Sequence, residues 1–428
     1  MKHVNLLFTF FIFSFCCSNL VQGKNETLTK TEDINAPGKS KTFAQKLSMD
    51  DISILSGSWN EIGYQYGKII KESLDNPQKK FEEAISFYKQ RGNLNEPEVS
   101  EITKIAKSDY EKYLPWFIEY LKGLAKGLDC DEKIVMRWGL ASWRLFTIGS
   151  YVIKNKEDDI PEKWLIQCSC VLVDKEATAD KNAILGHNYE GAAWFYTSPG
   201  RFVVFKPDQG HSFALYNNFH SAGGLGCVVM NDVGLSVALV GMKNLQDNGP
   251  GIVPLHVKVA NECSTVEEAI EVVKKTPMSL PMKIQLADRN GDIAVVYRGS
   301  TLCSVVRVGD EGFLYSTVKA VAKGFKELRS MSPETKSFLN KRYRFAIEVL
   351  KKNKGKIDKE IVADILTARR GEVICGIKAA VSIWAARKPI FGIVASTILI
   401  PNKLKYYYID VDPFPGKYYE VDLKPIFK

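Results

Sequence analysis

The sequence predicts an α+β protein in which two stacked antiparallel sheets lie between helical layers, a four-layer αββα arrangement. Three observations lead to this prediction. Apolar residues recur at helical spacing up to about residue 165, and short apolar runs joined by turn residues follow from there,. Further amphipathic helix patterns are interleaved with those runs. The apolar face of every sheet and helix must be buried, and two packed sheets covered by helices on both sides achieve this for all of them.

The first helical pattern covers residues 60–74,. The same spacing continues through residues 97–128 and 132–146,. Pro115 interrupts the second of these stretches, so we expect a helix boundary there.

After residue 165, four pairs of apolar runs are separated by turn residues and predict hairpins,. The last pair is joined by a turn containing Asn290 and Gly291, a step that tolerates positive φ. Since the strands are mostly apolar, we expect both faces of each sheet to be covered. The pairs are residues 170–173 with 183–186, 202–205 with 213–216, 228–230 with 235–240, and 284–287 with 293–297.

The remaining elements alternate between helices and strands. The Thr-Val-Glu-Glu sequence at residues 265–268 is a capping-box pattern that predicts the start of a helix,. Two more helices are expected over residues 333–352 and 359–368. The chain then returns to strands, which we expect at residues 392–400, 406–409 and 418–423.

Composition excludes several classes of protein. The chain has 428 residues and a formal net charge of +9, a small excess for this length. Its lysines are scattered, which is typical of a solvated surface, and no nucleic-acid-binding module is recognisable. We therefore expect no nucleic-acid partner. The length allows one large domain or two.

The N-terminus has the pattern of a secretory signal peptide over residues 1–23. Lys2 and His3 precede an apolar run at residues 4–15, which is too short for an ordinary membrane span,. Residues 24–45 are polar and predict a flexible leader. We expect a secreted or lumenal protein, in a secretory pathway, a periplasm or a lysosome-like compartment, with no stable membrane span in the mature chain.

Seven of the nine cysteines lie beyond the signal peptide, an odd number with wide and irregular spacing. That spacing excludes a small disulfide scaffold and a zinc module, and we expect no metal or organic cofactor. A nucleophile is one explanation for an odd thiol in a secreted protein. The seven are Cys130, Cys168, Cys170, Cys227, Cys263, Cys303 and Cys375.

Cys168 opens the run CSCVLV, and two interpretations of it stand open. In one, Cys168 and Cys170 are small residues of a buried strand that point to the same face. In the other, the chain is cleaved between Gln167 and Cys168. The freed α-amine, with a reference pKa of about 7.7–8.0, then serves as the base for the thiol. Asn188 and Glu190, in the following GHNYEG segment, would orient that amine or bind the substrate. Spacing alone pairs no cysteine with a histidine base, the histidines of the mature chain being His187, His211, His220 and His256.

Blocks spread over about residues 50–423 occur in a characteristic order. They read GSWNEIGYQYG, LKGLAKGLDC, CSCVLVDKEATADKNAILGHNYEG, VVMNDVGLSV, STVEEAIEVVKKTP with QLADRNGDIAVV, EVICGIKAAVSIW and VASTILIPNKLKYYYIDV. In this order they resemble the penicillin (isopenicillin N) acyltransferase family of N-terminal nucleophile cysteine hydrolases and acyltransferases.

The resemblance implies an αββα N-terminal nucleophile fold that is made as a precursor. Residues 46–167 would form a helical α-chain or propeptide region, and residues 168–428 a β-chain with the catalytic core. The two chains would stay associated after cleavage. The implied activity is amide hydrolysis or acyl transfer through a thioester.

Single positions of this sequence can be compared with the site residues of that family. Cys168 matches the nucleophile and Asn188 matches the family's asparagine. Glu190 stands where the family usually has an aspartate near the α-amine, which keeps the charge and lengthens the reach by one methylene. Gln167 stands before the nucleophile, where glycine is common.

Two positions depart from the family pattern. Residues 315–318 lack the asparagine that usually completes the oxyanion hole, and Gly376 replaces an arginine. Losing one oxyanion donor typically costs about 10²–10³ in turnover. Backbone amides, Thr317 or Asn231 are candidate substitutes, although Asn231 also suits the turn at residues 231–234.

These observations predict a secreted, self-processing cysteine amidohydrolase or acyltransferase that acts on a small-molecule or lipid-like N-acyl substrate. Two alternatives remain. One is a non-catalytic binding relative with an impaired oxyanion site, and the other is a lipid amidase of acid-ceramidase-like type.

Overall fold

The structure, a computed structural model, describes most of the chain from Ala44 onward. Within these ranges the backbone alone is described for some residues, Glu190 among them. The predicted signal peptide, Gln167 and the chain up to residue 43 lie outside them. The described residues are 44–74, 76–153, 168–192, 200–217, 225–242, 249–251, 253–317, 333–367, 369–370, 373–374, 391–409 and 418–428.

Helices dominate the first part of the described chain and recur between the strands. They are α1 Trp59–Lys71, α2 Pro77–Arg91, α3 Glu96–Tyr113, α4 Pro115–Leu128, α5 Glu132–Ile153, α6 Val253–Glu262, α7 Val266–Lys275, α8 Pro333–Lys352, α9 Lys359–Thr367 and α10 Lys424–Phe427.

The strands are short, and several of them are buried along their whole length. They are β1 Ala44–Lys46, β2 Ile52–Gly57, β3 Ser169–Val173, β4 Ile184–Ala192, β5 Arg201–Pro207, β6 Phe213–Asn217, β7 Val228–Asn231, β8 Ser236–Gly241, β9 Met282–Ala287, β10 Ile293–Arg298, β11 Cys303–Arg307, β12 Phe313–Thr317, β13 Arg369–Arg370, β14 Val373–Ile374, β15 Phe391–Ile400, β16 Lys405–Ile409 and β17 Tyr418–Asp422.

Two large sheets form the centre of the molecule. Sheet I has the strand order β1-β17-β16-β15-β4-β3-β12, and sheet II has the order β11-β10-β9-β8-β7-β6-β5-β2. Strand β3 faces β8, β9 and β10, so the two sheets stack on each other. Helices α1, α6 and α7 pack on sheet II, while α8 and α9 pack on sheet I. The αββα layering predicted from the sequence is therefore confirmed.

All four predicted hairpins are present. Strand β3 pairs with β4, β5 with β6, β7 with β8, and β9 with β10, each in antiparallel register. The prediction of purely antiparallel sheets was wrong at the edges, because β1 pairs with β17 and β2 with β5 in parallel. Both parallel strands come from the N-terminal segment, where helical patterns dominate the sequence signal. Strand β1 begins at Ala44, within the last two residues of the predicted leader.

Helix boundaries follow local chemistry. Pro115 begins α4, as predicted, since proline at a first helical position loses no hydrogen bond,. Thr265 caps α7 by accepting the Glu268 N–H at 3.3 Å, which is half of the predicted capping box. The other half was wrong, because the Glu268 carboxylate accepts the N–H of Ser264 at 2.6 Å instead of that of Thr265.

Helices α1 and α4 cross at glycines. A Cβ built on Gly63 would lie 2.1 Å from the Tyr120 carbonyl oxygen, and one on Gly123 would lie 1.8 Å from that of Asn60. The glycines of the GSWNEIGYQYG and LKGLAKGL blocks thus allow backbone-to-backbone contact between the two helices. Within the described ranges, no helix combines the length and the apolar character that crossing a bilayer requires.

Candidate active site

Cys168 lies directly before β3 and is buried, with 3% of its surface exposed. Side chains alternate along a strand. Cys168, Cys170 and Leu172 accordingly join the core cluster that also contains sheet II, whereas Val171 joins the cluster beneath α8 and α9. The prediction that the two cysteines share a face is confirmed, and that face points between the sheets.

His187 of β4 lies directly opposite Cys170 and points into the same space. Its Nε2 is 2.9 Å from the carbonyl oxygen of Leu239, on β8 of the other sheet. Because a carbonyl only accepts hydrogen bonds, Nε2 carries the proton and donates it. Burial lowers the pKa of His187 to about 4, so the imidazole is neutral at physiological pH,.

Two further side chains surround the start of β3. Burial, followed by the proximity of Cys168, raises the pKa of the Cys227 thiol well above its usual value. Burial likewise raises the pKa of Tyr189, with smaller contributions from Cys227 and Cys168. Both residues line a small cavity that admits the centre of a water molecule over about 20 Å³, which is room for about one water,. The other lining residues are His187, Tyr216, Gly226, Val228, Ala395 and Thr397.

Strand β9 of sheet II sends two polar side chains across to sheet I. The Lys283 ammonium group donates a hydrogen bond to the carbonyl oxygen of Thr317, and the Gln285 amide donates to Ser316 Oγ at 3.1 Å. Ser316 and Thr317 lie opposite Cys170 and Ser169 on the neighbouring strand. We call the polar residues between the sheets the intersheet cluster, which comprises Cys168, Cys170, His187, Tyr189, Cys227, Lys283, Gln285 and Ser316.

A second set of polar residues lies on the opposite face of sheet I, beneath α8 and α9. Thr317, Ser169, Asn188 and Ser396 are directly opposite one another on four adjacent strands. All four are buried. The buried Arg342 of α8 donates to Ser169 Oγ at 3.0 Å. This row therefore lies one residue further along β3 than Cys168 and faces away from the thiol.

Asn188 belongs to this row and therefore faces away from the Cys168 side chain. Its Nδ2 donates to the carbonyl oxygen of Leu366 in the last turn of α9, at 2.7 Å. Its Oδ1 is buried and accepts no hydrogen bond from the part of the chain that the structure describes. The amide thus fixes the end of α9, while its oxygen remains available to a donor at the start of β3. The predicted role in orienting the α-amine stays a prediction.

The other predicted site residues are only partly described. The backbone of Glu190 pairs with Ile393 next to an irregularity in the β4–β15 register, and its side chain lies outside the described structure. Gln167, Cys375 and Gly376 lie outside it as well. Asn231 is committed to the β7–β8 turn and α6, as the turn interpretation predicts. Its amide donates to the Ala260 and Cys263 carbonyls, and its Oδ1 accepts the Leu235 N–H.

His211 takes part in a separate arrangement. Its Nδ1 is 2.9 Å from Asp232 Oδ1 and its Nε2 is 2.9 Å from Ser264 Oγ, an order of groups also found in serine hydrolases,. Here the same atoms join loops, because the second Asp232 oxygen accepts the Ser212 N–H and the His211 N–H bonds to Asn261. We interpret this network as a structural one that holds neighbouring turns together.

His256 of α6 bonds through Nε2 to the Leu225 carbonyl oxygen at 3.0 Å, and His220 lies outside the described ranges. Among the residues that are described, no group of three or more His, Cys, Asp and Glu side chains is arranged to hold a metal ion.

Sequence reasoning missed His187, Cys227 and Lys283 as members of the intersheet cluster. A signal for Lys283 was present in the strand MKIQLA, where a lysine and a glutamine alternate with apolar residues in a strand expected to be covered on both faces. His187 had a weaker signal, since it directly precedes Asn188 in the GHNYEG segment.

Fold and site together define a layered α+β protein with a buried cysteine at the start of a central strand. Residues 177–381 match the family described as acyl-coenzyme A:6-aminopenicillanic acid acyl-transferase. The resemblance predicted from the sequence is thereby confirmed for this part of the chain. The matched segment contains Asn188, Glu190 and Lys283 but begins after Cys168.

The matches to solved structures are more distant. A variant of conjugated bile acid hydrolase from Clostridium perfringens has 14% identity and a TM-score of 0.41, covering 60% of this chain and 93% of that one. Penicillin V acylase from Agrobacterium tumefaciens has 13% identity and a TM-score of 0.38, covering 60% and 86%. No curated protein sequence matches this chain significantly. The fold assignment rests on the strand orders and layers described above.

Proposed function

We propose that this chain is a thiol-dependent amidohydrolase or acyltransferase that acts on N-acyl compounds, with Cys168 as its nucleophile. The observation that carries the proposal is the position of Cys168, which is buried directly before β3 and belongs to the intersheet cluster. The family match supports chemistry at an acyl group, since that family is described as transferring one. Secretion through the signal peptide at residues 1–23 is part of the same proposal.

The thiol needs a base, because a free cysteine is mostly protonated at neutral pH. Cleavage between Gln167 and Cys168 would supply one in the α-amine of Cys168, whose reference pKa of about 7.7–8.0 suits the task. His187 is a poorer base for this purpose, because its pKa is lowered to about 4 and its Nε2–H is held by the Leu239 carbonyl. The proposed base is therefore the α-amine.

In the proposed reaction the α-amine takes the thiol proton while sulfur bonds to the substrate carbonyl carbon. The C=O π electrons move to oxygen, and the resulting oxyanion collapses with breakage of the C–N bond. The leaving amine receives the proton from the α-ammonium, and a thioester remains on Cys168. Water, or an acceptor amine in the case of transfer, then attacks the thioester carbon and gives a proton to the α-amine. The C–S bond breaks, the carboxylic acid or the new amide leaves, and the sulfur takes that proton to restore the thiol.

The small cavity beside Cys227 and Tyr189 supports the hydrolytic version of this reaction. It has room for about one water,. Two of its lining residues, Tyr189 and Cys227, are close enough to Cys168 for that thiol to contribute to their raised pKa. A water held there would be available to the thioester. In a secreted setting water is also the most abundant acceptor, so hydrolysis is the version we propose first.

Processing is the test of this proposal. The wild-type protein, purified from a secreting host, should give two chains on a denaturing gel, and mass spectrometry should place the new N-terminus at Cys168. Cys168→Ala should remain a single chain and be inactive. Cys170→Ala is the matched control, since it removes a buried thiol from the same face and should still be processed. An intact wild-type chain, identical to Cys168→Ala, would contradict the proposal.

One observation favours a second candidate, a binding protein that has lost catalysis. Asn231 is fully committed to its turn and α6, so it does not replace the asparagine missing from residues 315–318. Processing into two chains without hydrolysis of a panel of N-acyl amides, spanning small and lipid-like acyl groups, would support this candidate over the first.

A further inference from the structure

Lys283 is a charged residue in an apolar place. It lies on β9, is 1% exposed, and has Met282 and Ile284 as neighbours along a strand that is buried throughout. Its ammonium group reaches across to the Thr317 carbonyl and lies 5.1 Å from the centre of the Tyr297 ring. Burial lowers the pKa of Lys283 to about 7. Burying an amine in this way is costly, so a purely structural role needs a reason.

The location of the ammonium group suggests that reason. Thr317 lies directly opposite Ser169, the residue after Cys168. Two residues along β9, Gln285 bonds to Ser316, which lies opposite Cys170. The polar side chains of β9 therefore reach the same end of β3 as the proposed nucleophile. A residue that only links the two sheets would need a hydrogen-bond donor and no charge, whereas a lysine also brings a positive charge.

We propose that Lys283 is an electrostatic residue of the Cys168 site, where its charged form stabilises the negative charge that develops on sulfur and then on the substrate carbonyl oxygen. The inference rests on the function proposed above. Lys283 would supply a cationic donor at the corner of the site where residues 315–318 offer no asparagine. Lys283 neither gives nor takes a proton in this reaction, so the proton transfers between the thiol, the α-amine and the leaving amine stay as proposed.

Titratable groups of several neighbouring strands face the same intersheet space as Lys283, whose own pKa is lowered by burial. Burial raises the pKa of the Cys170 and Cys227 thiols and of Tyr189, which leaves them neutral near pH 7. His187 is neutral there too. The described groups that face the space are Tyr297 of β10, Cys168 and Cys170 at β3, His187 and Tyr189 of β4, and Cys227 before β7.

The test measures the reactivity of Cys168 directly. Iodoacetamide alkylation is followed by mass spectrometry of the Cys168 peptide between pH 5 and pH 9, with each rate divided by its value at pH 9 to remove differences in access. In Lys283→Met the relative rate below pH 7 should be about tenfold or more lower than the relative rate of the wild type, because the positive charge that favours the thiolate is then absent. Identical relative profiles for the wild type and Lys283→Met would overturn the inference.

Three more variants separate charge from structure. Lys283→Gln keeps a donor without the charge and should follow Lys283→Met in reactivity, which also covers the case in which the Met variant does not fold. Lys283→Arg keeps the charge and should retain part of the reactivity, while a profile like that of Gln would count against an electrostatic role. Lys258→Met, at a half-buried lysine of α6 paired with Glu262, is the control and should match the wild type.

Activity gives a second readout. If the proposed function holds, Lys283→Met should reduce kcat/KM by about 10²-fold, the usual cost of one oxyanion donor. The proposed function and the proposed role of Lys283 can be refuted independently of each other. An unprocessed, inactive wild type refutes the proposed function, yet the alkylation profiles still decide whether Lys283 acts on Cys168. A processed, active wild type whose activity is unchanged in Lys283→Met refutes the Lys283 inference alone.

Discussion

Asn188 should have two separable roles, and replacing it by alanine tests both. Its Nδ2 bonds to the Leu366 carbonyl oxygen at 2.7 Å, and both residues are almost fully buried. That carbonyl lies in the last turn of α9, where backbone acceptors lack partners within the helix,. A buried acceptor left without a partner costs about 1–3 kcal/mol. With the small void left by the side chain, we expect Asn188→Ala to lower the free energy of unfolding by about 2–3 kcal/mol.

Urea unfolding followed by fluorescence measures this change, and Asn60→Ala provides the control. Asn60 also donates its amide to a helix carbonyl, that of Glu119 at 3.2 Å, but at an exposed position in the interior of α4. Its loss should therefore cost less than about 1 kcal/mol. If Asn188→Ala unfolds like the wild type, our interpretation of the Leu366 contact is wrong.

The second role concerns the buried Asn188 Oδ1, which accepts no hydrogen bond from the described residues. If this oxygen holds the α-amine of Cys168, kcat should fall about tenfold in Asn188→Ala, the loss expected for one neutral hydrogen bond of about 1.4 kcal/mol. Measuring kcat well below the unfolding midpoint separates this effect from stability. A variant that loses stability but keeps full kcat would leave Asn188 as a helix cap and nothing more.

Two further predictions concern packing and pH. Gly123→Ala should destabilise the protein by about 3 kcal/mol or more by urea unfolding, because its Cβ would lie 1.8 Å from the Asn60 carbonyl oxygen, whereas in an open helix alanine would stabilise,. Gly309→Ala, where a Cβ meets nothing within 4 Å, should change stability by less than about 0.5 kcal/mol,. For His187, the folded pKa of about 4 lies below the ordinary value of 6.5, so its contribution is fully present above pH 6.5 and is lost as pH falls toward 4,. The total is about 3 kcal/mol, and His187→Gln should flatten the unfolding free energy between pH 6.5 and 4; an equally steep dependence in that variant would assign the loss to other groups.

The sequence predicted the elements well where local chemistry determines them. The Asn290–Gly291 turn and the proline at the start of α4 are fixed by backbone preferences that act over a few residues. The parallel edge strands were not predictable in this way. Strand β2 pairs with β5 although more than 140 residues separate them, and nothing local in the β2 sequence specifies its partner or direction.

The candidate site was predictable in part for the same reason. Cys168 and Asn188 lie in the same block of the sequence, and the hairpin that joins β3 to β4 brings them together. The spacing did not reveal that they face opposite sides of sheet I. Lys283 reaches the site only through the stacking of the two sheets, a contact between strands from different sheets that no sequence period encodes.

In strands that are covered on both faces, a polar residue indicates a contact between layers, which the alternation of apolar and polar residues along the sequence does not reveal. A buried polar group without a partner is costly, and here several of these residues bond to a backbone carbonyl of another element,. His187 binds Leu239 and Asn188 binds Leu366, and each bond joins two layers. A residue that only joins layers needs a donor and no charge, so a neutral side chain suffices. Lys283 departs from that rule by placing a titratable cation at the end of β3, and this excess over structural need is the argument for assigning it to the Cys168 site.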